Sequence, residues 1–217
     1  MSKNKRTVSN IRFSIEVEVE YPDKKDSQKL IDKHRVIRGW EIDSDFSLDN
    51  GAEYRPRKKN KLYWNEDSID QIKEIIGLIK AHRGKIKTGK EVGTHVHIDM
   101  SKFSNQEIAN IIKAFIKRQN LIYKKFKVYK KRQDYAQKIP KEVSKLVTES
   151  MVKTIKTEGC QRECHDYFDN RHYGLNILAL NKHGSLEFRI FNGSIQINTI
   201  KRYIKFAIQF CLKNAKG

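Results

Sequence analysis

Between Arg12 and Tyr21 apolar and polar residues alternate without a break. Phe13, Ile15, Val17, Val19 and Tyr21 fall on one side, and Ser14, Glu16, Glu18 and Glu20 on the other. This period of two predicts a β-strand with one face in a core. Carboxylates at alternate positions repel one another unless a cation or basic side chains neutralise them. The alternative is a solvated outer face of an antiparallel sheet, which alternating Glu and Val also produce. The same period recurs in Gly93-Thr94-His95-Val96-His97-Ile98-Asp99, where His95, His97 and Asp99 share a face. It recurs again in Ser185-Leu186-Glu187-Phe188-Arg189-Ile190-Phe191, where Glu187 and Arg189 do.

The remaining pattern fills in an α+β chain. The polar stretch 22–34, broken by Pro22 and Asp23, reads as a loop. Asp49-Asn50-Gly51 is a hairpin turn between a strand over 36–43 and a return strand over 52–57, with Asp45 and Glu53 beside it. Asp45 is either a turn-stabilising Asx residue or functional, and Glu53 either an edge-strand charge or functional. Ile69, Ile72, Ile75, Ile76 and Ile79 recur at helical spacing behind Asp67-Ser68 and before Gly84, which predicts a helix over 66–83. A connector over 86–91 leads to the His-bearing strand, 92–100.

A second helix spans about 105–128, with a broad apolar stripe from Ile108 to Phe126 and lysines around it. A weaker helix is predicted over 140–156 and a loop over 158–170. Strands over 172–180 and 184–192 flank Asn181-Lys182-His183-Gly184, read as a tight hairpin, and a last helix covers 199–212. The expected architecture is one α+β domain over 1–217, with a mainly antiparallel curved sheet, helices on one face and residues 1–10 flexible. The other face carries the acids, histidines and arginine, a pocket suited to a polyphosphate and its divalent cations.

Composition narrows the class. Hydrophobic residues make up 38% of 217 residues, with 10 Phe, 9 Tyr and 2 Trp, enough for a globular core. No apolar run reaches membrane-spanning length, and residues 1–10 lack the apolar stretch of a signal peptide, so the reading is cytoplasmic. Three cysteines do not make a disulfide framework. Cys160, Cys164 and His165 lack a fourth ligand at the usual zinc spacing. A net charge of +19 recruits anions, so weak nucleic-acid contact through the basic surface is expected, although lysines around a helical stripe ordinarily stay solvated.

The motifs, taken in order, resemble those of one family. They are Phe13-x-Ile15-Glu16-x-Glu18, then Trp40 followed by Asp45, Ser47, Glu53 and Pro56, then Gly93-x-His95-Val96-His97, then Arg171-x-Tyr173-x-Leu175-Asn176, then Leu186-Glu187-Phe188-Arg189. This series resembles the putative amidoligase family, within the glutamine synthetase and glutamate-cysteine ligase superfamily of carboxylate-amine ligases. The resemblance covers about 12–210. It implies a glutamine synthetase-like catalytic domain and an ATP-dependent carbon-nitrogen ligase, which activates a carboxylate as an acyl phosphate and captures it with an amine. Residue by residue it implies metal ligation by Glu16, Glu18, Glu53, His95 and Glu187, with Mg²⁺ or Mn²⁺ as the ion. Arg189 and Arg171 are implied as catalytic phosphate contacts, and Arg171, Arg189 and Asn176 as nucleotide-binding. Small-molecule or peptide acids and amines would be the substrates. Two other readings stay open, a basic nucleic-acid-binding protein on an inactive ligase fold and a different divalent-metal enzyme.

Overall fold

A computed structural model of the chain describes residues 6–34, 36–37, 39–45, 48, 50–57, 62–85, 92–159 and 170–217. Ser47, the 86–91 connector, Cys160, Cys164 and His165 lie outside the described residues.

The alternating segment forms β1 (Arg12–Glu20), and it is central to the sheet. β2 (Val36–Ile37), β3 (Trp40–Asp45) and β4 (Gly51–Pro56) lie to one side of it. β6 (Gly93–Asp99), β8 (Ser185–Asn192) and the short β7 (Leu175–Asn176) lie to the other, while β5 (Leu62–Tyr63) pairs with the start of β1. The order is β2-β3-β4-β1-β6-β8-β7, and every strand pair is antiparallel.

The apolar face of this open sheet packs under three long helices: α2 (Glu66–Ala81), α3 (Asn105–Phe126) and the last helix (Ile197–Asn214). Phe188 on β8 meets Phe115 of α3 and Phe210 of the last helix edge to face, with ring centroids 6.0 Å apart in each case. Such offset aromatic packing joins sheet and helices into one buried core.

The helix ends follow their sequence signals. At the start of α3 the Ser104 hydroxyl accepts from the Glu107 N–H, and the Glu107 carboxylate accepts from the Ser104 N–H, a reciprocal capping box. Arg6 pairs with that same carboxylate and stacks over Phe103. The Arg6 hydrogen bond, opposed by partial burial, holds the Glu107 carboxyl down at about 2. Ser104→Ala is expected to cost about 1 kcal/mol in chemical unfolding. Threonine at this position, which keeps the hydroxyl, should restore most of it.

Five expectations are corrected. Residues 24–34 are not a loop but helix α1 (Lys24–His34), which packs on β3 and β4 through the buried Leu30 and Ile31. The start of α2 is Asn65, whose side chain accepts from the Ser68 N–H, rather than Asp67-Ser68. The segment over 140–156 is divided. A 3₁₀ turn (Lys141–Lys145) precedes α4 (Glu149–Glu158), because the Thr148 hydroxyl accepts the Met151 N–H and starts a new helix.

The strand predicted over 172–180 shrinks to β7, and the predicted tight turn is helix α5 (Ala179–His183). Asn176 Oδ1 accepts from the Leu178 N–H and turns the chain out of the sheet. Gly184, at φ 66°, then ends α5 in the left-handed conformation, which glycine adopts without steric cost. The last helix is accordingly α6. No described helix is long and apolar enough to cross a membrane.

Candidate active site

Directly paired residues of an antiparallel ladder share a face. Glu16 pairs with His95, Glu18 with Glu53, and Glu53 in turn with Asp43. On the other side His97 pairs with Glu187, and Glu187 with Asn176. With the period of two along each strand, this register alone gathers the polar residues of six neighbouring strands on the face opposite α2, α3 and α6.

A register shift between Thr94 and Val96 places one extra residue on β8, within the Arg189–Ile190 segment. Such a bulge re-aims the side chains around it. Phe191, which strict alternation would put beside Glu187, instead joins the core and stacks on Tyr203 at 4.3 Å. Arg189 stays on the polar face, and its Nη1 is 2.6 Å from Glu187 Oε1.

His95 is at the middle of the cluster. Its Nδ1 lies 3.1 Å from Glu16 Oε2 and 3.3 Å from Glu187 Oε1, and its Nε2 lies 3.2 Å from Glu18 Oε1. His97 approaches Glu16 from the other side, Nε2 to Oε1 3.1 Å, while its Nδ1 is 3.1 Å from Ser185 Oγ. Ligand atoms of Glu16, His97 and Glu187 all lie within 4.8 Å of one another. Asn176 Nδ2 donates to Glu187 Oε2 at 2.6 Å, so this residue fixes the carboxylate's orientation.

The electrostatics follow from burial and crowding. Burial opposes a charge on Glu16, yet His97 and His95 beside it hold its carboxyl well below the usual range. Glu187 is lowered in the same way, against burial, by His97, His95 and Arg189. Burial also disfavours the charged form of His97, but Glu16 and Glu187 outweigh it and lift the imidazole to about 9. Glu53 goes the opposite way, pushed up to about 8 by burial and by Glu16 and Glu18, with only Arg55 opposing. Arg55 donates to Glu53 at 2.9 Å and to Asp43 at 2.6 Å.

The structure therefore brings together Glu16, Glu18, His95, Glu187 and Arg189, with Glu53 at the edge and Asn176 behind Glu187. Arg171 is exposed in the turn before β7, and among the described residues it pairs with none of the cluster. Asp99 is bound to Arg12 at 2.5 Å, at the other end of β6. Two residues of the cluster were not assigned from the sequence. His97 was legible in principle, since it shares a face with His95. Arg132, which reaches in from the 3₁₀ turn after α3 (Lys130–Asp134), was hidden in a run of basic residues whose neighbours are exposed.

The donor set fits a hard divalent cation. Carboxylate oxygens with an imidazole suit Mg²⁺ or Mn²⁺. His97 Nε2 is buried and makes no aligned hydrogen bond, although it is directed into the cluster. A cleft of about 560 Å³ opens beside Glu16 and His97, lined by Arg12, Arg55, Arg57 and Lys182 together with Glu41 and Asp99, which pair with the three arginines. Carboxylates, imidazoles and guanidinium groups on one sheet face beside this cleft are suited to holding an anionic substrate against a metal ion. A family model described as "putative amidoligase enzyme" matches residues 3–211. The chain belongs to this amidoligase family. The match takes in β1 and α1–α5 whole and all but the last turn of α6, so the polar face described above is the family's own region of the chain. No curated protein sequence matches the chain. Membership of this family supports ligase activity.

Proposed function

We propose that this amidoligase is an ATP-dependent carbon-nitrogen ligase that joins a carboxylate to an amine through an acyl phosphate. The observation that carries the reading is the convergence of Glu16, His97 and Glu187 beside Arg189 at the edge of the cleft. The polar face bearing Glu16, Glu18, Glu53, His95 and Glu187 holds Mg²⁺ or Mn²⁺, which supplies charge neutralisation for the phosphate oxygens of the nucleotide.

The chain's own residues do the rest. Asn176 holds Glu187 in place. Arg189, a planar donor fixed near the cluster, faces the phosphoryl group as it moves from ATP to the acid. The substrate carboxylate oxygen bonds to the γ-phosphorus as the bond to ADP breaks. The amine then attacks the acyl carbon, phosphate leaves with the bonding pair, and the amine gives up a proton. The cleft cations Arg12, Arg57 and Lys182 attract the anionic partners, and Arg171 is assigned a phosphate contact from the turn before β7. The substrates are small-molecule or peptide acids and amines, and the compartment is the cytoplasm.

Calorimetry tests this directly. ATP should bind in the presence of Mg²⁺ or Mn²⁺ and raise the melting temperature by mass action, and without a cation it should not. An absence of nucleotide binding with either ion would remove the reading.

The net charge of +19 contributes a weaker property. Lys113, Lys117, Lys124, Lys125 and Lys127 flank the buried stripe of α3, and Lys124, Lys125 and Lys127 are exposed. Nucleic-acid binding through them is proposed to be weak and lost at moderate salt, as for a solvated cationic face. Retained affinity at physiological salt that depends on Lys124, Lys125 and Lys127 would instead favour a dedicated nucleic-acid site.

A further inference from the structure

Arg132 has a chamber built for it. Its side chain is buried, and its guanidinium lies against Gly93 so closely that a Cβ there would come within 1.9 Å of Nη2. Glycine at the start of β6 is thus what admits the arginine to the polar face. Once there, Nη2 is 2.7 Å from His95 Nε2 and 3.4 Å from the Arg189 carbonyl, and Nη1 is 3.6 Å from Glu18 Oε2. The Gly93 N–H donates to that same Glu18 oxygen at 2.5 Å.

The donor bookkeeping at His95 then closes. A guanidinium only donates, so His95 Nε2 accepts from Arg132, and in the neutral imidazole the proton is on Nδ1. Nδ1 faces two acceptors, Glu16 Oε2 at 3.1 Å and Glu187 Oε1 at 3.3 Å, both closer than the Arg189 Nη1 donor at 3.5 Å, which is itself committed to Glu187. Neither nitrogen of His95 has a lone pair left for a metal. Glu18 Oε2 accepts from the Gly93 N–H and faces Arg132 Nη1, so this carboxylate already has a backbone donor and a cation beside it.

His97 is arranged the other way. Its Nδ1 is 3.1 Å from Ser185 Oγ, which can accept the Nδ1 proton, and its Nε2 faces Glu16 and Glu187, so a cation bound among the three would take the place of the Nε2 proton, with Ser185 as the outer partner common to metal-bound histidines.

We infer that Arg132 takes the place of a second divalent cation: the chain holds one metal ion, on Glu16, His97 and Glu187, and a fixed guanidinium serves the Glu18–His95 end. This rests on the proposed function and deepens it. It moves the metal-binding histidine from His95 to His97 and makes Glu18 and His95 positioning residues. A permanent cation at one end would keep the Glu18 carboxylate neutralised whether or not metal is bound. The metal-dependent step would then need one ion from the protein's side, besides any that arrives with the nucleotide.

The test is Mn²⁺ binding without nucleotide, followed by the electron paramagnetic resonance of free ion. Wild-type protein should take up one equivalent. His97→Asn and Glu16→Gln should each weaken uptake by at least about tenfold, whereas Glu18→Gln and His95→Gln should hold one ion within a few-fold of wild-type affinity. Arg132→Met should acquire a second, weaker equivalent at the vacated Glu18–His95 end. If that variant does not fold, the wild-type stoichiometry and the contrast of His97→Asn with Glu18→Gln still decide. Two equivalents in the wild type, or loss of binding in Glu18→Gln as complete as in His97→Asn, would overturn the inference while leaving a metal-dependent ligase standing. No Mn²⁺ uptake at all would overturn the proposed metal site, and this inference with it.

Discussion

Glu187→Gln protein is expected to lose cation-dependent ATP binding while remaining folded. Glu187 is held by Asn176 on one oxygen and by Arg189 on the other, each at 2.6 Å. An amide of the same shape can accept only one of these two hydrogen bonds and supplies no negative charge to a hard cation. Metal affinity should fall by about 10² or more, because loss of a mere outer partner already costs about 10- to 100-fold. Asn176→Ala provides that milder comparison, since it removes only the hydrogen bond that orients Glu187. Isothermal titration of the two variants with Mn²⁺ and ATP separates them. Equal, wild-type-like binding in both would show that Glu187 does not ligate the ion.

Arg189→Lys should fail in a different way. Arginine and lysine carry the same charge, so nucleotide and metal binding should be nearly retained. Turnover should fall by about 10² to 10³, the usual loss when one preorganised donor to a developing charge is removed. The competing account is that Arg189 serves only as the ion-pair partner of Glu187, which the 2.6 Å contact allows. On that account lysine preserves the pair, and the variant is fully active or simply less stable. Single-turnover phosphate release compared with the melting temperature distinguishes the two.

Much of the frame was legible because it depends on periodicity. The alternation of β1 and β6 and the isoleucine stripes of α2 and α3 encode burial directly, and the structure has these elements where the pattern puts them, while the strand expected over 36–43 is divided into β2 and β3, with β3 pairing to β4 ahead of Gly51. The α1 helix was not legible, since Leu30 and Ile31 are too few apolar residues to mark a helical face, and packing on β3 and β4 decides its state. The α5 helix was misread because Asn181 to Gly184 has turn chemistry that a helix C-terminus also uses.

The polar face was partly legible for the same reason. Residues on alternating strands identify themselves by parity, which is why Glu16, Glu18, His95 and Glu187 meet as the pattern implies. The bulge at Arg189 and the inward turn of Arg132 depend on long-range packing. The signal for Arg132 is in another strand, at Gly93, where the missing side chain makes room for it.

The most direct measurement is of amide formation itself. Purified protein with ATP and Mg²⁺ or Mn²⁺ is challenged with pools of carboxylic acids, amino acids, amines and peptides, and phosphate release is followed together with product mass. Phosphate release should require both an acid and an amine, with a product equal in mass to the two joined with loss of water. Phosphate release that needs neither, or amide formation that proceeds without nucleotide, would contradict the ligase reading.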